Sequence, residues 1–583
     1  MVRKTKIICT IGPASEKVET LVQMIEAGMN VARLNFSHGI HEDHRQRIQV
    51  IREAAQTCAK PVAIMLDTRG PEIRTGKLKA GKVLLETGQR FVLTTREIVG
   101  DENEVMISYS HLPQEVTKGT SILLSDGLIN LRVEEINNTN IICRVINGGE
   151  LGERKGVNVP GVRIALPFLS EKDIDDINFG IDNLVDFIAA SFVRTAEDVI
   201  DIRRILEQRG ADIDIIAKIE SQEGVDNLAE IIRVAEGVMV ARGDLGVEIA
   251  VEEVPLVQKT IVEDCSQMGK MVIIATQMLE SMINNPRPTR AEVSDVANAI
   301  FDGVDAIMLS GESAAGKYPV EVVQTMARIA TRAEEALPYA DILRQKRPQR
   351  TPSVTDAISY ATCTAALNLG ASAIITATRT GFTAKMAAKY RPQAQIIAAT
   401  HEPKIMHKLA LVWGVQPVLI KETEGTDELL AESIKTALQS GYINNGDLIV
   451  LTAGIPAGKS GGTNMLKVDT VGEILIQGMG IGTRPVSGPV KIVMHAKDIE
   501  KIEAGDILVT GNADSNLAPY LKLITGLIAE EGGLTSNAAI MGLNADIPVI
   551  VGARDATTIL EDGMTVTLDT PRGKVYRGLA RVL

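Results

Sequence analysis

Lys218 and Glu220 stand two residues apart in the run Ala217-Lys218-Ile219-Glu220, and Asp244 ends the next apolar run at Ala241-Arg242-Gly243-Asp244. If each run is a β-strand, alternation turns Lys218 and Glu220 to one face near the strand's C-terminal end. A lysine and two carboxylates converging there suit an anionic substrate together with a divalent cation. Mg2+ is usually held by one or two carboxylates, with substrate oxygens and water completing its shell. A purely structural ion pair between Lys218 and Glu220 is the alternative that this piece alone leaves open.

Neighbouring runs end in matching chemistry. One ends Arg33-Leu34-Asn35-Phe36-Ser37-His38, the next Asp67-Thr68-Arg69-Gly70-Pro71-Glu72-Ile73-Arg74. The planar guanidinium forks of Arg33 and Arg74 are suited to phosphate oxygens. Asn35, Ser37, Asp67 and Thr68 offer hard oxygens with a single formal charge, a set for a monovalent cation. Two further runs end Ala275-Thr276-Gln277-Met278 and Ser310-Gly311-Glu312-Ser313. Any one of these could be an ordinary strand cap; their agreement on one rim points to a site.

For these residues to meet, their runs must lie side by side and parallel. The chain repeats a short apolar run, a polar or glycine-rich turn and a helical stretch. The runs are 6–10, 30–35, 62–67, 185–191, 214–220, 237–244, 271–276 and 305–312, the number that a (β/α)8 barrel requires, with chemistry at the strands' C-terminal ends. Segments 18–28 and 198–210 have helical periodicity and end at glycine. The spacing breaks once, between Asp67 and residue 185. Alternating runs at 90–95, 104–109, 120–126 and 140–148 predict an inserted small β-barrel, placed to overhang the site as a lid. A basic, proline-containing connector at 344–353 leads to a second α/β region with runs at 371–378, 394–400, 416–420 and 447–454, and the texture from 471 is glycine-rich with short β runs. The expected division is a catalytic barrel of 1–69 and 170–345, a lid of 70–169, an α/β domain of 346–470 and an extra domain of 471–583.

The bulk properties fit this plan. At 583 residues the chain exceeds a single core. Aromatics are 3% of residues and aliphatics fill the apolar 45%, as buried parallel strands under helices require. A net charge of −13 argues against nucleic acid or an anionic membrane as the main partner. An anionic substrate therefore needs the local field of the basic cluster and cations. Cys9, Cys58, Cys143, Cys265 and Cys363 are scattered, with no Cys-x-x-Cys pair, and suggest reduced thiols. The basic start, with no apolar leader and no membrane-length apolar run, makes the cytoplasm the expected location.

The strings NFSHG (35–39), LDTRGPEIRTG (66–76), AKIESQEGV (217–225), MVARGDLGVE (239–248), ATQMLESM (275–282) and LSGESAAGKYP (309–319) resemble the signature strings of the pyruvate kinases, and the resemblance extends to about residue 470. It implies transfer of a phosphoryl group from phosphoenolpyruvate to ADP, giving pyruvate and ATP. It implies Mg2+ (or Mn2+) on Glu220 and Asp244, and K+ on Asn35, Ser37, Asp67 and Thr68, with Glu72 the residue type of K+-dependent members. Arg33, Lys218, Gly243, Asp244 and Thr276 would face the substrate, Arg33, Lys218 and Thr276 catalytically. Asn35, His38, Arg74 and Lys155 would serve the nucleotide. A homotetramer is implied on the same ground. A phosphoryl group leaving the enol oxygen passes through a loose transition state, so positioning and electrostatic stabilisation dominate. A threonine hydroxyl is too weak an acid to protonate the enolate unaided, so Thr276 would order water that does.

Other motifs carry less. Residues 453–460, AGIPAGKS, look like a P-loop one place out of register; Gly478-Met479-Gly480-Ile481-Gly482 reads as turn geometry. Thr378-Arg379-Thr380-Gly381-Phe382-Thr383 follows a strand and opens a helix, and the matching loop in pyruvate kinases holds an effector's phosphate. Allosteric control by a sugar phosphate or AMP is therefore expected through Thr378, Arg379, Thr380, Gly381 and Thr383. The last region resembles the mobile phosphohistidine domain of phosphoenolpyruvate-using enzymes, but Gly532-Gly533-Leu534-Thr535-Ser536-Asn537 carries Asn where those enzymes have the phosphate-accepting His. A dikinase or synthase relay is disfavoured accordingly, and a regulatory protein without turnover is disfavoured by the intact set Arg33, Lys218, Glu220, Asp244 and Thr276.

Overall fold

The computed structural model describes residues 2–348, 353–455 and 462–580. Two compact units result: Met1–Pro338 with Pro403–Pro417, and Tyr339–Glu402 with Val418–Leu583.

In the first unit, eight parallel strands close into a barrel in chain order, the first bonded to the eighth. They are Lys6–Thr10, Val31–Asn35, Ala63–Asp67, Phe187–Ala190, Asp214–Ile219, Gly237–Ala241, Met271–Ala275 and Ala306–Leu309, the eight apolar runs of the sequence. They are continuous rather than alternating because both faces are covered, by helices outside and by packed side chains within. The helices are delimited by local chemistry. Ser170 and Asp173 form a reciprocal capping box at the start of Glu171–Asp182, as Thr289 and Glu292 do for Arg290–Asp302. Gly303, at φ 98°, ends the latter in the left-handed conformation.

The insertion is all-β: a six-stranded sheet and a two-stranded ribbon, Lys82–Leu85 with Gly149–Gly152, share one apolar core that includes Leu85, Phe91, Leu131, Cys143 and Leu151. Its longest strand, Ile129–Asn137, escaped the pattern reading. The register shifts between Val133 and Glu135, so the alternation Ile129, Leu131, Val133 slips to Ile136.

Residues 403–417 pack at the strands' N-terminal ends. Lys408 Nζ lies 2.6 Å from Asp214, the first residue of strand five, and Lys6 Nζ donates to the Val415 carbonyl at 2.6 Å.

The second unit holds a sheet with Gln395–Thr400, Ala373–Ala377 and Leu448–Ala453 parallel and Met465–Thr470 antiparallel at its edge. It also holds an eight-stranded sheet formed by residues 474–577. One expectation is corrected there. Met479–Ile481 is a strand, not a turn. A Cβ on Gly480 would lie 1.7 Å from the Thr570 carbonyl oxygen, so close backbone approach explains the glycine. The P-loop-like segment has residues 456–461 outside the described residues. All five cysteines are free thiols, and among the described residues no helix is long and apolar enough to cross a membrane.

Candidate active site

Strand register assembles the site. Asn35 pairs with Asp67 across strands two and three, Asp67 with Ala189 of strand four, and Ala190 with Ala217 of strand five. The ends of four strands thereby bring Arg33, Asp67, Ser191, Lys218 and Glu220 into one buried network. Arg33 Nε donates to Asp67 Oδ2 at 2.6 Å, and its NH1 to Thr10 Oγ1 at 2.9 Å. Lys218 Nζ lies 3.1 Å from Asp67 Oδ1, 2.7 Å from Ser191 Oγ and 3.0 Å from Glu220 Oε1. Asp67 and Glu220 are each 1% exposed, and Lys218 is 8% exposed. Ser191 ends the fourth apolar run, and that strand-end position was its signal in the sequence; no role was assigned to it there.

Burial works against every charge here, and neighbours decide the outcome. It disfavours the Lys218 ammonium, but Asp67 and Glu220 outweigh it and hold the group well above the ordinary lysine range. It would raise Asp67, but Arg33 and Lys218 hold that carboxyl below its usual range. Glu220 is pushed up to about 7: burial, with Asp244 beside it, exceeds the help from Lys218 and from the Phe192 N–H that donates at 2.6 Å. Burial also raises Asp244. Two neighbouring carboxylates, Glu220 buried and Asp244 half-buried on the cavity wall, each costly to ionise, fit a divalent cation that would offset both charges.

On the adjoining rim, Thr276 and Gln277 are non-glycine residues in the left-handed region, at φ 67° and 55°. Such strain costs on the order of 1 kcal/mol per residue and persists where surroundings enforce it. Here Arg242 donates to the Thr276 carbonyl at 2.9 Å, and the Gly243 N–H donates to Thr276 Oγ1 at 2.8 Å. The Thr276 hydroxyl in turn donates to Ala275 O at 2.6 Å.

Asn35, Ser37, Asp67 and Thr68 meet at the ends of strands two and three. The Ser37 N–H donates to Asn35 Oδ1 at 3.0 Å, and the Ser191 N–H to Thr68 Oγ1 at 3.1 Å. Beside this group opens a cavity of about 860 Å3 between the barrel rim and the insertion. Ser37, His38, Glu72, Arg74, Lys155 and Asp244 line it, with Asp126 and Arg154 as contributions that the sequence did not single out. Asn35, also expected on the nucleotide side, is not among the lining residues. Arg74 is not an open fork: Nε and NH2 both lie on Glu72 Oε2, at 2.7 and 2.6 Å. The two residues are two positions apart, the spacing at which an extended backbone places side chains on the same side.

In the second unit, Gly381 at φ 80° precedes the helix Phe382–Lys389, as the loop motif predicts. The Thr383 hydroxyl is buried and accepts from Thr463 Oγ1 at 3.0 Å, while Arg379 and Thr380 are exposed. Asn537 is the exposed first residue of the helix Asn537–Ala545, and its N–H donates to Glu531 Oε1 at 3.0 Å.

A closed parallel barrel with a lysine, an arginine and paired carboxylates at its C-terminal rim, beside a cleft lined by charged side chains of both signs, is the arrangement of a phosphotransferase. Known proteins agree. Residues 2–323 match the family model described as pyruvate kinase, barrel domain; residues 356–469 match the pyruvate kinase alpha/beta domain; and residues 502–573 match the PEP-utilising enzyme mobile domain. The pyruvate kinases of Geobacillus stearothermophilus and Bacillus licheniformis are each 52% identical to this chain, with all of both chains covered. The crystal structure of a pyruvate kinase from Cryptosporidium parvum aligns with TM-score 0.76 at 41% identity, covering 80% of this chain and 96% of that one. The chain belongs to the pyruvate kinase family, whose members transfer a phosphoryl group from phosphoenolpyruvate to ADP.

Proposed function

We propose that the rim residues divide this reaction as follows. The carrying observation is the Lys218 ammonium, buried between Asp67 and Glu220 and one carboxylate away from Arg33. Arg33 and Lys218 take the phosphoryl oxygens, and Gly243, Asp244 and Thr276 border the rest of the substrate. When the bond between phosphorus and the enol oxygen breaks, its electron pair stays on that oxygen, and Lys218 stabilises the enolate. The enolate carbon then gains a proton. The Thr276 O–H already points at Ala275 O, which favours its ordering a water donor over giving up its own proton. Arg74, His38, Lys155 and Asn35 serve the nucleotide, Arg74 exchanging Glu72 for phosphate.

Glu220 and Asp244 would hold Mg2+ (or Mn2+), and Asn35, Ser37, Asp67 and Thr68 would hold K+. A bound divalent cation supplies Lewis-acid stabilisation of the phosphoryl charge. The arrangement is tested by a lactate-dehydrogenase-coupled assay with phosphoenolpyruvate and ADP, with each cation omitted in turn. Turnover that needs both supports it, and full turnover without K+ or without a divalent ion refutes the corresponding site.

Allosteric control through Thr378, Arg379, Thr380, Gly381 and Thr383 is part of the same reading, supported by the strand-to-helix turn and by amides at the start of the helix. Titration with sugar phosphates and with AMP tests it. A homotetramer is also proposed, and sedimentation equilibrium tests that.

A further inference from the structure

Ser191 takes part in none of the roles above, yet it lies at the centre of the network. It is 2% exposed. Its Oγ is 2.7 Å from Lys218 Nζ, 2.7 Å from the Thr68 carbonyl oxygen and 3.1 Å from Asp67 Oδ1. An ammonium only donates, so the bond with Lys218 runs from Nζ to the hydroxyl oxygen. The hydroxyl's own proton then faces Thr68 O and Asp67.

We infer that Ser191 is a positioning residue for Lys218, its hydroxyl taking the third ammonium proton and so fixing where the positive charge stands against the substrate. This rests on the proposed role of Lys218. Ion pairs with Asp67 and Glu220 occupy two of the ammonium's three protons, and the third is on Ser191. The third acceptor makes the anchoring three-pointed, and a neutral one does so without changing the charge of the site. Two reacting groups gain most from such fixing, because a displacement of about 1 Å costs about 100-fold in rate.

Ser191 is itself pinned. The next residue, Phe192, has φ 56° and gives its N–H to Glu220. Opposite lies Gly70, where a Cβ would stand 2.9 Å from both the Ser191 Cβ and its carbonyl oxygen. One strand end therefore orients Lys218 through a side chain and Glu220 through the backbone.

The test is a double-mutant cycle on the full chain with Mg2+ and K+ saturating. Ser191→Ala should lower kcat about 10- to 100-fold, with KM for phosphoenolpyruvate within about twofold, because only a transition-state contact is lost. Added to Lys218→Met, it should cost less than about twofold more, since nothing remains to orient. Ser191→Cys, similar in shape but a poor acceptor, should resemble Ala. Circular dichroism and the thermal midpoint of each variant check that it is folded. The inference is overturned if Ser191→Ala keeps parental kcat. It also falls if the loss is undiminished in the Lys218→Met background, if Cys restores the rate, or if a separate K+ titration shows that more K+ restores the parental kcat. A fully active Lys218→Met would instead refute the underlying role of Lys218.

Discussion

Replacing Lys218 by Met removes one positive charge from a site where Asp67, Glu220 and Asp244 oppose Arg33 and Lys218. Asp67 keeps Arg33 at 2.6 Å, but Glu220 is left with the Phe192 N–H and the neighbouring Asp244 carboxyl. Were Glu220 to stay ionised, the broken buried pair would cost about 3–5 kcal/mol. It need not, because burial already pushes its carboxyl up to about 7 in the parent, from an ordinary 4.5. Protonating such a group costs only about 1.4 kcal/mol per pH unit above its value, so the stability loss stays near that scale. Catalysis has no such escape, since a thioether cannot stabilise an enolate or phosphoryl oxygens. The expected loss is about 1,000-fold or more in kcat, roughly 4 kcal/mol of transition-state stabilisation. A carboxyl raised on folding stabilises the fold below its unfolded value, and that contribution disappears as pH rises through the folded value. The stability deficit of the variant, measured by urea unfolding in chelator, should therefore grow from pH 6 to pH 8. The coupled assay at saturating substrates and cations reads the rate. A kcat within tenfold of the parent would sink the assignment, and a deficit independent of pH would refute the electrostatic account of Glu220.

Lys408→Met should lower the urea midpoint by an amount equivalent to about 3–5 kcal/mol, because it removes the ammonium paired with the buried Asp214 carboxylate; an unchanged midpoint would show the pair to be dispensable. Gly480→Ala forces a Cβ against the Thr570 carbonyl and should destabilise by about 1–3 kcal/mol, read as a lower thermal midpoint. Thr383→Ala should abolish or weaken activation by a phosphorylated effector while leaving kcat without effector intact; a parental activation curve would remove the proposed effector loop. Asn537→Ala should leave turnover within about twofold, and a larger loss would show that this exposed amide contributes to the reaction.

Much of this protein is legible before folding is considered, for identifiable reasons. A parallel barrel buries both faces of every strand, so its eight strands appear as unbroken apolar runs. Polar residues at the ends of those runs belong to the rim. The insertion is less legible because an antiparallel sheet carries its signal in alternation, and register shifts, here between Asn130 and Leu131 and between Val133 and Glu135, interrupt it. Ser191 was visible as the last letter of a run, but serine at a strand end has too many ordinary uses for its type to reveal a role. The glycines at 478–482 show the same limit: the letter says only that a side chain would not fit, and the backbone of Thr570 says why.

The order of residues along the chain decides which groups stand at strand ends and which face they share, because alternation and apolar periodicity are local. That is enough to place Lys218 beside Glu220 and to mark Arg33, Asp67, Asp244 and Thr276 as rim residues. Which of them touch is decided by closure of the barrel. It brings together residues 34 to 151 positions apart, setting Arg33 and Lys218 on the two oxygens of Asp67. The same closure removes water, and desolvation is what raises Glu220 and Asp244 and makes a cation their natural complement. Dielectric surroundings and cross-strand distances are properties of the assembled barrel and have no local trace in the sequence.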